Sequence, residues 1–152
     1  MSRAPLVAVV GPGEADDECL RLAEETGRLL AERGAVVLCG GLDGVMEAAC
    51  RGAAGAGGQS VGLLPGHDAA DANPHVTVPL ATGLGEMRNA LIVRCADSVI
   101  AIGGSAGTLS EIALAVRTGK RIVWLRGWDI PELGVDAVEE PQTAVTHVLG
   151  SA

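Results

Sequence analysis

The chain has 152 residues, of which 48% are hydrophobic, and its formal net charge at pH 7 is −8. This length fits one domain that buries its own core. Basic residues number 11 against 19 acidic ones, so the clustered cationic surface that nucleic acids and anionic membranes require is not expected. We therefore predict a single domain over 1–152 with neither a nucleic-acid partner nor a membrane partner.

The four cysteines are far apart in the sequence, with no C-x-x-C pair and no histidine at metal-ligand spacing. Buried, reduced thiols are the expected state, and neither a zinc site nor a disulfide framework is predicted. The apolar run at 6–10 is too short for a signal-peptide core, and no run approaches membrane-spanning length. We expect a cytoplasmic protein with no metal site and no resident cofactor.

Apolar runs alternate with segments of helical periodicity along the chain. The predicted strands cover 6–10, 35–39, 59–64, 75–80, 98–102 and 121–125. Helices are predicted to begin at Asp16 or Asp17, at Asp43, after Gly85, at Thr108 and at Pro141, and 52–58 is predicted to be a loop. Strands that are apolar throughout are typical of a parallel sheet covered on both faces. The fold class is therefore α/β, a Rossmann-like doubly wound parallel sheet.

Glycine-rich turns follow three of these strands, at 11–13, 40–41 and 103–107. Ligands of such sheets bind beyond the carboxyl ends of the strands, so we expect the three turns to converge on one crevice. The third turn leads into a helix, whose free N–H groups and positive dipole end favour an anion. This arrangement predicts a phosphate site that needs no lysine.

Three common classes of site are excluded. In a dinucleotide fingerprint the third glycine would fall at Asp16, and Cys39-Gly40 stands where the ribose-binding acid belongs. There is also no G-x-x-x-x-G-K-[ST] motif for the phosphates of ATP. Pyridoxal-phosphate chemistry needs a lysine, and Lys120 precedes a strand at the sheet edge opposite the crevice. Lysine decarboxylation is therefore not expected.

Three motifs resemble the signatures of the Lonely Guy family, which has long carried the label "lysine decarboxylase-like". They are GGLDGVME at 40–47, Met87-Arg88-Asn89, and GGSAGTLSE at 103–111. The resemblance covers nearly the whole chain. It implies a Rossmann-like fold, a homodimer or higher homo-oligomer, and phosphoribohydrolase activity on the bond between a base and ribose 5′-monophosphate.

The chain departs from that enzyme pattern in three details. Ile102 replaces a proline; two residues, Ser105 and Ala106, separate the glycine pair from Gly107-Thr108 where the enzyme pattern G-G-x-G-T-x-x-E has one; and Asn89 replaces a lysine. These details are similar to a short branch of the superfamily that includes molybdenum-cofactor carrier proteins. Two functions therefore stay open: a nucleoside 5′-monophosphate phosphoribohydrolase, or a carrier that binds molybdenum cofactor or a nucleotide without catalysis.

Arg88 and Glu111 are the predicted catalytic residues. The predicted ligand-binding residues are Gly11, Gly13, Gly40, Gly41, Gly44, Met46, Asn89, Gly103, Gly104, Ser105, Ala106, Gly107 and Thr108. Arg88 falls on the apolar stripe of its predicted helix, which favours a buried role. Glu111 has two interpretations, because a carboxylate stabilises a positively charged ribose and Thr108-x-x-Glu111 is also a capping box. Met46 and Met87 are expected to be core residues, with an aliphatic pocket for a base as the alternative. The face that carries Met87 and Leu91 is the predicted dimer surface.

Overall fold

The computed structural model describes residues 2–151, and seven strands in this range form one parallel sheet. The strands are β1 (Leu6–Val10), β2 (Val36–Cys39), β3 (Ser60–Leu64), β4 (Val78–Ala81), β5 (Ser98–Ile102), β6 (Arg121–Leu125) and β7 (Asp136–Val138). Their order is β4-β3-β2-β1-β5-β6-β7. The chain builds outward from β1 in both directions, so the strand order reverses between β1 and β5.

Helices cover both faces of the sheet. They are α1 (Asp17–Glu32), α2 (Val45–Gly55), α3 (Arg88–Cys95), α4 (Ala106–Arg117) and α5 (Pro141–Leu149). Residues of α1, α2 and α5 share one buried cluster with Val7 and Val9 of β1, and residues of α3 and α4 share another with Ala8 and Val10. Successive side chains of a strand point to opposite faces, so both faces of β1 are buried. The predicted doubly wound α/β fold is confirmed.

Small residues bring α1 and α2 into close contact. A Cβ atom on Gly52 would lie 1.9 Å from the carbonyl oxygen of Glu24, and one on Gly27 would lie 2.0 Å from that of Ala49. The helices therefore pack backbone against backbone. This contact also corrects the predicted loop at 52–58, because α2 continues to Gly55. Gly52 serves helix packing, whereas Gly57, with a φ of +76°, lies in the turn that follows the helix.

Some predicted boundaries differ from the structure. Asp16 caps α1, its carboxylate accepting from the amide of Cys19 at 2.8 Å, as predicted. Asp43 does not cap α2, because Gly44 is the N-cap residue and the helix start has no side-chain cap. The strand predicted from 75 begins at Val78, since the residues before it bond to Ser60 through side chains. The short strand β7 was not predicted.

The cysteines are all free, and three of them are buried. Cys95 is exposed at the end of α3, so the expectation of a buried thiol is wrong there. Cys39 and Cys50 place their sulfur atoms 3.5 Å apart inside the protein. Among the residues that the structure describes, no helix combines the length and the apolar character needed to cross a membrane.

Candidate functional site

The turns after β1, β2 and β5 meet around a cavity of about 160 Å³ at the carboxyl end of the sheet. It lies at the point where the strand order reverses, as expected for a sheet of this kind. Its walls come from the ends of three strands and from the N-terminal turns of α2, α3 and α4. The lining residues are Val9, Val10, Gly11, Pro12, Gly13, Gly40, Met46, Arg88, Asn89, Ser105, Gly107 and Glu111.

Most of the predicted site residues meet at this cavity. Those in its wall are Gly11, Gly13, Gly40, Met46, Arg88, Asn89, Ser105, Gly107 and Glu111. Those outside its wall are Gly41, Gly44, Gly103, Gly104, Ala106 and Thr108. Sequence reasoning missed Val9, Val10 and Pro12, although Pro12 lies between two predicted glycines. The expectation that Met46 and Met87 are core residues is also wrong, because Met46 is half-buried in the cavity wall and Met87 is exposed.

The glycines of the wall serve two different purposes. A Cβ atom on Gly40 would lie 2.6 Å from a guanidinium nitrogen of Arg88, and one on Gly11 would lie 2.6 Å from the carbonyl oxygen of Ile102. These two glycines are required by packing. A Cβ atom on Gly13 would meet no atom within 4 Å, and one on Gly107 would meet its first neighbour at 3.9 Å. Side chains at the second pair would project into open space.

Gly44 joins two of the turns from outside the cavity. Its φ of +66° favours glycine, and a Cβ atom there would lie 2.4 Å from the carbonyl oxygen of Pro12. The amide of the next residue, Val45, donates to that same oxygen at 3.1 Å. The start of α2 is therefore fastened to the turn after β1 by a hydrogen bond and by the close approach of Gly44.

The chain's two tryptophans hold the turn after β5. The indole N–H of Trp124 donates to the carbonyl oxygen of Gly103 at 2.6 Å, and a Cβ atom on Gly104 would lie 2.3 Å from the indole nitrogen of Trp128. Gly104 is thus required by Trp128, which occupies the space beside it, rather than by a ligand. No local pattern in the sequence links these tryptophans to a turn that precedes β6.

The N-cap of helix α4 is Ser105, three residues before the predicted Thr108, and this changes which amides are free. Ser105 is the N-cap residue, and its hydroxyl accepts from the amide of Thr108 at 3.2 Å and lies 2.9 Å from the hydroxyl of Thr108. Thr108 therefore neither opens the helix nor offers its amide to a ligand. Within the described residues, the amides of Ala106 and Gly107 have no hydrogen-bond partner. These two N–H groups are the donors available at the positive end of the helix.

Arg88 crosses the cavity floor from the start of α3. Its guanidinium donates to the carbonyl oxygens of Leu63 at 2.9 Å and Gly40 at 3.5 Å, and to the side-chain oxygen of Asn89. Burial lowers the pKa of Arg88 from its ordinary value, and nearby Glu111 opposes that shift. A guanidinium carries five N–H donors, so these contacts leave capacity for an anion in the cavity. Arg88 is half-buried in the cavity wall, so the predicted buried role is correct only in part.

Glu111 lies in the second turn of α4 and is only 7% exposed. It makes no hydrogen bond within the described residues, so the capping-box interpretation is wrong: Ser105 takes the cap position, three residues before Thr108. Burial raises the pKa of Glu111 to about 8, and the positive charge of Arg88 only partly offsets this. At neutral pH the side chain is therefore mainly an uncharged carboxylic acid that faces the cavity.

The arrangement suits an anion more than a cation. The half-buried guanidinium of Arg88 and two free amides supply donors, and the uncharged form of Glu111 adds no repulsion. Among the described residues, no group of three or more histidine, cysteine or acidic side chains could hold a metal ion. The Lys120 ammonium donates to the carbonyl oxygen of Ala96 at 2.6 Å, before the start of β5 and away from the cavity. The cavity thus relies on Arg88 for its positive side-chain charge.

Fold and cavity together define a Rossmann-like α/β domain with a glycine-lined crevice at its topological switch point. A family model described as the SLOG cluster4 family matches residues 4–150, and the chain belongs to this family. The match agrees with the resemblance to Lonely Guy proteins and with the placement on their short branch.

Three similar proteins span nearly the whole chain. A protein of Archaeoglobus fulgidus, described as uncharacterized, is 40% identical over 146 residues, which are 96% of this chain and 95% of the other. The molybdenum cofactor binding protein of the phototrophic bacterium Rippkaea orientalis has a TM-score of 0.90 and 37% identity, covering 95% of each chain. The molybdenum cofactor carrier protein of Chlamydomonas reinhardtii has a TM-score of 0.85 and 31% identity, covering 98% of this chain and 100% of that one.

Proposed function

We propose that this protein binds a phosphorylated small molecule in the cavity and releases it unchanged, with molybdenum cofactor as the ligand that its relatives favour. The observation that carries the proposal is the pairing of Arg88 with the free amide of Gly107 in one cavity wall, beside the free amide of Ala106 just outside that wall. Donors of this kind bind phosphate without metal or lysine. The similarity to a cofactor carrier and a cofactor binding protein supports the choice of ligand.

The phosphate end of the ligand is the part that the cavity would enclose. Its volume of about 160 Å³ is below the roughly 300–1,000 Å³ of pockets that enclose whole organic ligands. The two amides would bind phosphate oxygens from one side and Arg88 from the floor. A net charge of −8 makes such local donors necessary, because the protein as a whole repels anions.

The state of Glu111 favours a carrier over a hydrolase. Cleavage of a glycosidic bond builds positive charge on the ribose, which an ionised carboxylate stabilises. With a pKa of about 8, Glu111 is mostly uncharged at neutral pH and would have to lose its proton before it could supply that stabilisation. An uncharged acid instead donates a hydrogen bond to an anion and leaves it unaltered.

The second candidate is a nucleoside 5′-monophosphate phosphoribohydrolase. The observation that favours it is the presence of Arg88 and Glu111 in one cavity wall, as the Lonely Guy resemblance implies. In this case Glu111 would ionise when substrate is bound and would orient water or stabilise the ribose, while Arg88 would hold the phosphate. The cavity would then serve AMP, GMP, CMP or UMP.

One experiment separates the two candidates. The protein is incubated with each of the four nucleoside 5′-monophosphates at pH 7 and at pH 9, and free base is measured by chromatography. In parallel, it is mixed anaerobically with molybdenum cofactor released from a molybdoenzyme, desalted, and assayed for pterin fluorescence. We expect no free base and retained pterin. Release of base together with no retained pterin would refute the carrier proposal and support the hydrolase.

The Arg88→Ala variant is the matched control for cofactor retention, and Arg94→Ala, an exposed residue of the same helix, controls for the loss of positive charge. We expect pterin to stay with the Arg94→Ala variant and to be lost from the Arg88→Ala variant. Equal retention by both would place the ligand outside the cavity. Homodimer formation stays a prediction, which light scattering tests directly.

A further inference from the structure

A second, larger groove continues from the cavity. It has a volume of about 470 Å³ and shares Asn89 and Gly107 with the cavity wall. Its sides come from the start of α3 and the outer face of α4, where Met87, Ala90 and Leu114 supply aliphatic surface. Met87 is 74% exposed, and its apolar surface adjoins that of Ala90 and Leu114 in the groove. The two spaces meet at the shared residues Asn89 and Gly107.

Gly107 forms the boundary between the two spaces. A Cβ atom there would meet its first neighbour at 3.9 Å, so packing does not require glycine. Its φ lies outside the left-handed region, so the backbone does not require glycine either. Glycine also weakens a helix relative to alanine, and Gly107 lies in the first turn of α4. Glycine at position 107 therefore keeps the space between the cavity and the groove free of a side chain.

We propose that the groove binds the heterocyclic ring of the ligand whose phosphate lies in the cavity; this inference rests on the proposed function and extends it. The aliphatic walls suit the faces of a flat, uncharged ring. The Glu86 carboxylate also lines the groove and has no hydrogen bond or ion pair within the described residues, so it is free to accept from ring N–H groups. Guanine and pterin rings share such a donor edge.

The test compares three ligands on three variants that each add one carboxylate. Met87→Asp and Leu114→Asp place it in the groove, and Ala113→Asp places it on the exposed part of α4 outside both spaces. Calorimetry measures the affinity for inorganic phosphate, ribose 5-phosphate and GMP. All three variants carry the same added charge, so Ala113→Asp calibrates its long-range effect on anions.

For the wild type we expect GMP to bind about tenfold more tightly than ribose 5-phosphate, because only GMP reaches the groove. The Ala113→Asp variant should keep the about tenfold preference for GMP over ribose 5-phosphate, and the two groove variants should lose it. All three variants should bind phosphate with the same affinity. A molybdopterin preparation that shows the same loss in both variants would indicate that the groove also accepts a pterin ring.

Three outcomes overturn the inference. Equal wild-type affinities for GMP and ribose 5-phosphate would show that the ring makes no contact. Unchanged GMP affinity together with a lower mass by light scattering in the groove variants would show that the groove is covered by a second copy of the chain. If phosphate binds and GMP does not, the groove excludes the ring while the proposed function survives. Failure of phosphate itself to bind would instead refute the proposed function.

Discussion

Replacing Glu111 by glutamine removes an ionisable group from the cavity wall while keeping its size. Burial raises the pKa of this acid from an ordinary value of 4.5 to about 8 in the folded protein. Between these two values the folded state holds more protons than the unfolded state. The acid therefore lowers the free energy of unfolding as the pH rises through this window. Below the unfolded-state pKa the acid is protonated in both states, so the penalty is absent there.

The size of the effect follows from the shift. Each pH unit well inside the window changes the free energy of unfolding by about 1.4 kcal/mol, and a unit close to either pKa changes it by less. The rise from about pH 5 to about pH 8 therefore lowers wild-type stability by on the order of 3–4 kcal/mol through this residue. The Glu111→Gln variant has no proton to lose, so this dependence disappears. We expect the variant to gain about 3–4 kcal/mol on the wild type over that interval.

Urea denaturation of both proteins at about pH 5, 6.5 and 8 measures the difference directly. Other titrating groups are common to both proteins and cancel in the comparison. A difference that stays constant within about 0.5 kcal/mol would refute the reasoning, because it would show that Glu111 is ionised in the fold as easily as in the unfolded chain. The neutral acid, and with it the argument for a carrier, would then be lost.

Further predictions concern the anion and the turns. Sulfate keeps its charge from about pH 6 to 9, so any pH dependence of its binding comes from the protein. Its affinity, measured by calorimetry, should fall as the pH rises through about 8 in the wild type and should not change in the Glu111→Gln variant. An affinity that does not change with pH in the wild type would contradict an acid that faces the cavity. Arg88→Ala should weaken sulfate binding by about tenfold or more and Arg94→Ala by far less, and equal losses would mean that only net charge matters. Gly44→Ala should cost more than about 2 kcal/mol of stability in urea denaturation, against about 1 kcal/mol for Gly57→Ala, which has a similar φ but open space. Equal costs would show that the contact with Pro12 relaxes.

The sheet could be predicted from sequence because its strands are buried on both faces. A run such as Val99 to Ile102 has no polar residue to place in solvent, so its burial and strand type follow from composition. The short strand β7 carries an acid, an alanine and a valine, and only pairing with β6 orders it. Local preference is too weak to predict such an edge strand.

The convergence of the glycine turns could be predicted because parallel strands bring their carboxyl ends to one edge of the sheet. The exact helix starts were not, because they depend on competition between nearby caps. Ser105 and Thr108 both fit a cap position, and Ser105 follows the turn directly, so it takes the role. Asp43 fits a cap in the sequence, but the close contact between Gly44 and the Pro12 carbonyl sets the helix start instead.

The supporting contacts of the site are long-range and leave no local pattern. Trp124 and Trp128 contact the turn after β5, which is separated from them in the sequence by the whole of α4. The pairing of β5 with β6 brings the tryptophans to this turn. The raised pKa of Glu111 likewise depends on how deeply α4 packs against the sheet. Its chemical state could not be predicted from residue type, although its place in the site could.

The central claim is that the cavity binds the phosphate of a small molecule, and a crystal soaked with selenate tests it most directly. The selenium atom gives an anomalous signal that identifies the anion without ambiguity. We predict a selenate in the cavity, with oxygens about 3 Å from the amides of Ala106 and Gly107 and from the guanidinium of Arg88. An empty cavity at a selenate concentration that fills surface sites, or an anion bound only elsewhere, would contradict the account.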